Sequence, residues 1–232
     1  MLLNRFLGVL ILLVSTSIYS IPTMAAKHVI GVLVYDGVLT SDVVAPTEVF
    51  GVATRKAWFS DYEVVLVGVE NKKVVTTEEG LKLTVDVTIQ NAPELDVLIV
   101  NSAYSMEHLF ENTALTSFLK NSANKVKWLA SNCSGAFLYA HAGLLDGYKA
   151  TTWAGGEKGL QSEFPKIQVI EDQNVVVDRN RVTSNGGIPS YQGALVLLAL
   201  MSIESNAKEV FETIQLNRLI PWSDVSKFIP SK

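Results

Sequence analysis

Cys133 is the only cysteine in the chain, and it stands where a strand turns sharply into a helix. The apolar run Val126-Lys127-Trp128-Leu129-Ala130 leads into Ser131-Asn132-Cys133-Ser134-Gly135, and the apolar stretch Ala136-Phe137-Leu138-Tyr139-Ala140 follows. A thiol at such a turn faces free backbone N–H groups and the positive end of a helix dipole. Both favour the thiolate, which is the reactive form. The competing reading is a small buried hydrophobe, because unpaired cysteine is among the most buried residue types. His28, His108 and His141 are spaced too widely to make a metal cluster with Cys133. Gly155-Gly156 and Gly186-Gly187 lack the lysine and the spacing of a phosphate loop. No metal or cofactor is therefore expected.

The first 26 residues read as a secretory signal. Arg5 gives a positive start, Phe6 to Val14 an apolar core, and Thr23-Met24-Ala25-Ala26 a small-residue cleavage site. That core is shorter than the roughly 20 apolar residues of a membrane span. The expected location is periplasmic or secreted, with an uncleaved N-terminal anchor as the alternative. An unpaired cysteine in an exported chain points to chemistry or to an intermolecular bridge. Residues 27–232 suit one domain, able to bury roughly 70% of its unfolded surface. The chain carries 19 basic and 23 acidic residues, and loss of Arg5 makes it one charge more negative. With no basic stripe, nucleic acid is not an expected partner, and neither is a membrane once the leader is removed.

The elements that must position Cys133 follow from the apolar pattern. Val29 to Tyr35 is a continuous apolar run, as in a strand buried on both faces. Thr40-Ser41-Asp42 offers caps for a helix through about Thr54, with Pro46 restricting where its regular turns begin. Tyr62 to Val69 and Asp96 to Val100 are further strands. Lys73 to Thr77 and Leu81 to Val85 flank Glu79-Gly80 as a hairpin. Thr113 to Ala123 makes an amphipathic helix, and Glu157 to Glu163 another helix. Short strands are predicted at Ile167 to Ile170, Val175 to Asp178 and Val182 to Thr183. Helices over Tyr191 to Ile203 and Ala207 to Leu219 close the pattern, with Ser184 and Asn185 expected to cap the first. Alternating strands and helices predict an α/β fold with a mostly parallel sheet, whose ligands bind beyond the carboxyl ends of the strands. The residues to watch are then Asp36 to Asp42, Asn101 to Tyr104, Asn132 to Ser134 and Ser184 to Gly187.

At these residues the chain resembles the ThiJ/PfpI superfamily, and within it the isonitrile hydratases and the sensor domains of some bacterial transcription regulators. The resemblance rests on Ser131 to Ala136 continuing through Ala142-Gly143-Leu144-Leu145-Asp146-Gly147 to Ala150-Thr151-Thr152. It also rests on Asp42 to Phe50, and on Thr183-Ser184 with Gly186. It implies a flavodoxin-like three-layer sandwich with Cys133 on a nucleophile elbow and a carboxylic acid, Asp42 by position, beside the sulfur. A carboxyl crowded against a thiolate in a poorly solvated pocket stays protonated and can act as acid and base. Read from the sequence alone, Asp42 only interacts with a helix dipole. Asp36 reads as turn chemistry and Glu48 as a supporting or surface group.

Two departures from that family stand out. Many members have a Pro-Gly-Gly type segment after the strand ending at Val100, where this chain has Asn101-Ser102-Ala103-Tyr104. An oxyanion pocket is then expected from N–H groups of Ser134 and the Ser102 region, with Asn101 and Gly186 nearby. The segment after Thr151-Thr152 often carries a histidine, where this chain has Trp153, so a Cys-His protease or amidotransferase mechanism is not expected. Tyr104, Trp153 and Tyr191 are candidates for an apolar pocket mouth. Two functions compete: a cysteine-dependent hydratase or hydrolase-like enzyme on a small electrophile, and a non-enzymatic periplasmic binding or redox-sensing domain. Transcription regulation is disfavoured, because the sequence leaves no room for a helix-turn-helix domain. A homodimer stays open, since family members often dimerise.

Overall fold

The continuous apolar runs become the inner strands of one sheet. The computed structural model describes residues 27–231, so the expected leader over 1–26 lies outside the described residues. In β1 (His28–Val34) every residue after His28 is buried. It is followed by α1 (Thr40–Ala53), β2 (Tyr62–Gly68) and the antiparallel hairpin of β3 (Val74–Thr76) and β4 (Lys82–Thr84). Then come β5 (Val87–Thr88), the fully buried β6 (Val97–Val100), α2 (Glu107–Phe110) and α3 (Thr113–Ala123). The elbow joins β7 (Trp128–Asn132) to α4 (Gly135–His141). Beyond it lie β8 (Lys149–Ala150), α5 (Glu157–Glu163), β9 (Gln168–Val169), β10 (Val175–Asp178) and β11 (Arg181–Ser184). Helices α6 (Pro189–Met201), α7 (Glu204–Thr213) and α8 (Ser223–Ser226) follow.

The main sheet has the order β10-β11-β7-β6-β1-β2-β5 and is parallel except for β10. Helices α1, α6 and α7 pack together on one face, and α2, α3 and α4 on the other, which makes the expected three-layer sandwich. The chain moves from β1 outwards to β2, then crosses to β6 on the opposite side of β1. That reversal opens a crevice at the carboxyl ends of β1, β6 and β7, where the loops carrying Asp42, Ser102 and Cys133 converge.

Several expectations need correcting. Pro46 does not delay α1, which runs through it from Thr40. Proline cannot donate to the carbonyl four residues back, so the Asp42 carbonyl accepts from Asn132 Nδ2 at 3.0 Å instead. Ser184 and Asn185 do not cap α6: Ser184 Oγ bonds Asn132, and Asn185 Nδ2 donates to the Thr152 carbonyl. The last predicted helix overshoots, because Gln215 adopts φ 63° and ends the regular turns. β9 pairs only with β8, outside the main sheet.

Gly135 shows how closely the elbow packs. A Cβ there would lie 2.5 Å from the Val100 carbonyl oxygen, a backbone atom that cannot rotate away. Gly135→Ala is therefore expected to lower unfolding stability by about 3 kcal/mol, read by denaturant titration. A change below about 0.5 kcal/mol would show that β6 and α4 are not held this closely.

Candidate functional site

Cys133 has φ 53°, a left-handed conformation that is unusual for a residue with a side chain. Such strain persists only where neighbours hold it. The Cys133 N–H donates to the Ser184 carbonyl at 2.9 Å, and its carbonyl accepts from Thr152 Oγ1 at 2.8 Å. Gly186 (φ 81°) passes directly behind the side chain: a Cβ at 186 would sit 2.2 Å from the Cys133 Cβ. Glycine there gives the cysteine room rather than adding a donor, for the Gly186 N–H faces Ser184 Oγ at 3.3 Å. The result is the sharp strand-to-helix elbow implied by the resemblance, with Cys133 lining a pocket.

Asp42, in the first turn of α1, is fully buried. Its Oδ2 accepts from Ser102 Oγ at 2.5 Å, and Oδ1 from the Gly187 N–H at 2.8 Å and from Ser190 Oγ at 3.0 Å. Burial pushes the Asp42 carboxyl above the usual carboxylate range, and these donors pull it back only in part. The Cys133 thiol is raised too, first by burial and then by the Asp42 charge; Ser102 and the Ser134 N–H offset part of this. Burial and the Asp42 charge thus work against the preformed thiolate expected from the elbow.

A row of buried amides and hydroxyls supports both groups from beneath. Ser184 Oγ donates to Asn132 Oδ1 at 2.6 Å, and Asn132 Nδ2 also reaches Asn101 Oδ1 at 3.1 Å. Asn101 Nδ2 donates to the Leu33 carbonyl at 2.9 Å, and the Asn101 carbonyl accepts from Tyr35 at 2.5 Å. Asn101 is thus a strut between β1, β6 and β7, and its polar atoms do not face the pocket.

The loop after β6 is zipped to the loop after β1 by an antiparallel bridge between Val38 and Ala103, and by the Leu39 N–H donating to the Ser102 carbonyl at 2.8 Å. Within that loop the Ala103 N–H donates to Met106 Sδ at 3.2 Å. Of the two expected oxyanion residues, Ser134 lines the pocket with Cys133, whereas Ser102 brings its hydroxyl to the acid.

Above the sulfur lies a cavity of about 430 Å³. Its walls are mostly apolar: Leu39, Met106, Phe110, Phe137, Trp153 and the exposed Tyr104. Gly156 seats Trp153, since a Cβ there would lie 2.3 Å from the indole ring, and Phe137 lies tilted against that ring at 5.3 Å between centroids. The charged lining residues are Glu107 and Glu163, both acidic. Tyr191 does not line this cavity and donates to Glu48 at 2.7 Å. No histidine lines it either: His141 lies against Phe110 and pairs with Glu163 at 3.3 Å, and His28 bonds Asp96 at 2.9 Å. Asp36 holds a turn through the Thr76 N–H.

Sequence reasoning placed Gly187 near the site and Thr152 in the motif without giving either a role, and it missed Ser190 as a holder of the acid. Pro189 marks the start of a helix and was the one local signal that Ser190 sits at a helix N-terminus.

Comparison with known proteins agrees with this geometry. A model of the DJ-1/PfpI family matches residues 28–199. The HTH-type transcriptional regulator GbdR of Pseudomonas aeruginosa is 33% identical over 113 residues, covering 49% of this chain and 30% of the regulator. The isonitrile hydratase of Pseudomonas putida is 29% identical over 160 residues, covering 68% of this chain and 65% of that enzyme. The chain thus spans less than two thirds of either relative. A solved ThiJ/PfpI family protein from Pseudomonas syringae superposes with a TM-score of 0.72 at 26% identity, covering 85% of this chain and 78% of that one. With the family match spanning most of the described residues and an elbow cysteine at the carboxyl ends of a flavodoxin-like sheet, this chain belongs to the DJ-1/PfpI family.

Proposed function

We propose that the chain is an exported, cysteine-dependent enzyme that adds water to a small neutral electrophile, in the manner of an isonitrile hydratase. The observation that carries this reading is the buried acid beside the elbow thiol, with no histidine lining the pocket. In the first step the thiol proton passes to Asp42 and the sulfur bonds to the terminal carbon of the isonitrile. Asp42 returns that proton to the same carbon, giving a thioimidate. Water then adds to this carbon, with Asp42 taking one of its protons and passing it to the imine nitrogen. As the C–S bond breaks, Asp42 takes the remaining hydroxyl proton and returns it to the sulfur, and the products are an N-substituted formamide and the free thiol. A group that alternates between acid and base works best when its pKa lies near the operating pH, and burial moves Asp42 in that direction.

The raised thiol and the Ala103 N–H committed to Met106 Sδ favour a second reading, a non-enzymatic small-molecule binding domain. Turnover of a panel of isonitriles separates the two. In the enzyme reading, Cys133→Ala removes turnover by at least about 10³-fold. Neutral apolar substrates also exceed carboxylate-bearing ones by about tenfold in kcat/KM, because the pocket's charged groups are acidic. Wild-type protein that turns over nothing, yet melts higher with an apolar ligand, supports binding instead.

A pH profile checks the acid. The Asp42 charge raises the thiol, so Asp42→Asn is expected to shift the alkaline midpoint of iodoacetamide alkylation downwards while turnover falls. A midpoint that stays in place or rises would remove Asp42 from the sulfur's electrostatic surroundings.

A further inference from the structure

Trp153 stands where related chains often carry a histidine, and the chain around it is shaped to hold its indole at the cavity. The Trp153 carbonyl accepts from the Gly156 N–H at 2.9 Å, and the Gly155 N–H donates to Glu157 Oε2 at 2.6 Å, so the ring rises from a closed turn. Gly156 has φ −95°, a conformation open to residues with side chains. What forbids a side chain there is the indole itself, 2.3 Å from the Cβ that position would carry. On the other side, Thr152 ties the turn to the elbow. Its Oγ1 donates to the Cys133 carbonyl at 2.8 Å, and its carbonyl accepts from Asn185 Nδ2. The indole is therefore fixed relative to Cys133. It lines the cavity and still keeps 37% of its surface exposed, so part of a large apolar ring is left uncovered.

We propose that Trp153 is the specificity-determining residue of this site and selects a neutral electrophile that bears an aryl ring. This deepens the hydratase reading and rests on the cavity above Cys133 being the site that takes the substrate. A cavity of about 430 Å³ falls in the range of about 300–1,000 Å³ usual for small-molecule sites, far more than one reacting carbon fills. The remaining space belongs to the substituent. Four aromatic side chains border it: Tyr104, Phe110, Phe137 and Trp153. Burial alone rewards any apolar group, alkyl or aryl. Rings add a preference, because an aryl group meets other rings offset-stacked or edge-on and gains beyond the area it buries. Phe137 already meets the indole at a tilt, 5.3 Å between centroids, and a ligand ring extends that cluster. Among the described residues no basic side chain lines the cavity, so nothing there rewards an anionic substituent.

The single cysteine makes alkylation a readout of this site that needs no turnover. Iodoacetamide, N-benzyliodoacetamide and N-(cyclohexylmethyl)iodoacetamide react by the same step, in which sulfur displaces iodide and the thiol proton leaves to buffer. Each rate is divided by the rate of the same probe with free cysteine. On that scale the benzyl probe is expected to exceed iodoacetamide about tenfold and the cyclohexylmethyl probe about threefold. Trp153→Ala is expected to lower the benzyl advantage about fivefold, and Gly156→Ala, which forces the indole off its seat, to lower it as well. Trp153→Leu keeps apolar bulk without the ring and is expected to make the two ring probes equal; it also serves where the alanine variant does not fold. The inference is overturned if wild type shows no benzyl advantage, if its two ring probes react equally, or if the advantage survives both Trp153 variants. A protein inert towards isonitriles but with a Trp153-dependent benzyl advantage would sink the hydratase reading and leave aryl selection standing. Turnover of alkyl and aryl isonitriles alike, with no benzyl advantage in alkylation, would do the reverse.

Discussion

The buried carboxyl of Asp42 is the group on which the architecture of this crevice converges. A carboxyl taken fully out of water costs several kcal/mol unless its oxygens are satisfied, and here the donors come from distant parts of the chain. Ser102 arrives from the end of β6, and Gly187 and Ser190 from the start of α6. Meeting that one requirement fixes α6 against α1 and draws the loop after β6 onto the loop after β1. Pro46 extends the same logic to the backbone. By leaving the Asp42 carbonyl without its helical donor, it gives Asn132 an acceptor and ties the acid's helix to the strand that ends at the elbow cysteine.

The elbow carries the opposite kind of cost. A non-glycine residue in the left-handed region stores about 1–3 kcal/mol. Cys133 is held there by the Ser184 carbonyl, by Thr152 and by the missing Cβ of Gly186. Ser184 serves both costs at once, because its carbonyl pins the cysteine and its hydroxyl orients Asn132. The acid and the thiol therefore share a scaffold, and a shift in β11 would disturb both together.

What the sequence makes legible follows from the range of the interactions. The inner strands announce themselves as continuous apolar runs, and the elbow as a lone cysteine between a strand pattern and a helix pattern. Two-residue strands such as β5 and β8 are too short to carry any period. The overshoot past Gln215 arose because an apolar pattern continues through residues that the backbone has already turned out of the helix. The partners of Asp42 are 60, 145 and 148 residues away, so no local spacing announces them. Ser102 showed itself only as a departure from a glycine segment. Its meaning depended on where its oxygen points, which a sequence pattern does not carry.

The electrostatics of the pocket follow from what is missing around the sulfur. A cysteine paired with a histidine or lysine is held as thiolate by a neighbouring positive charge. Here the neighbouring charges are Asp42 beneath and Glu107 and Glu163 at the walls, and burial raises the thiol further. Such a site cannot hold a free thiolate cheaply, and it repels an anionic substrate before any contact is made. In the proposed reaction a neutral electrophile escapes that repulsion, gains from the apolar walls of Phe137 and Trp153, and meets a sulfur that sheds its proton as the new bond forms. The acidic surroundings that count against a resting thiolate are thus consistent with an attack in which proton and sulfur move together, with the proton kept inside the pair.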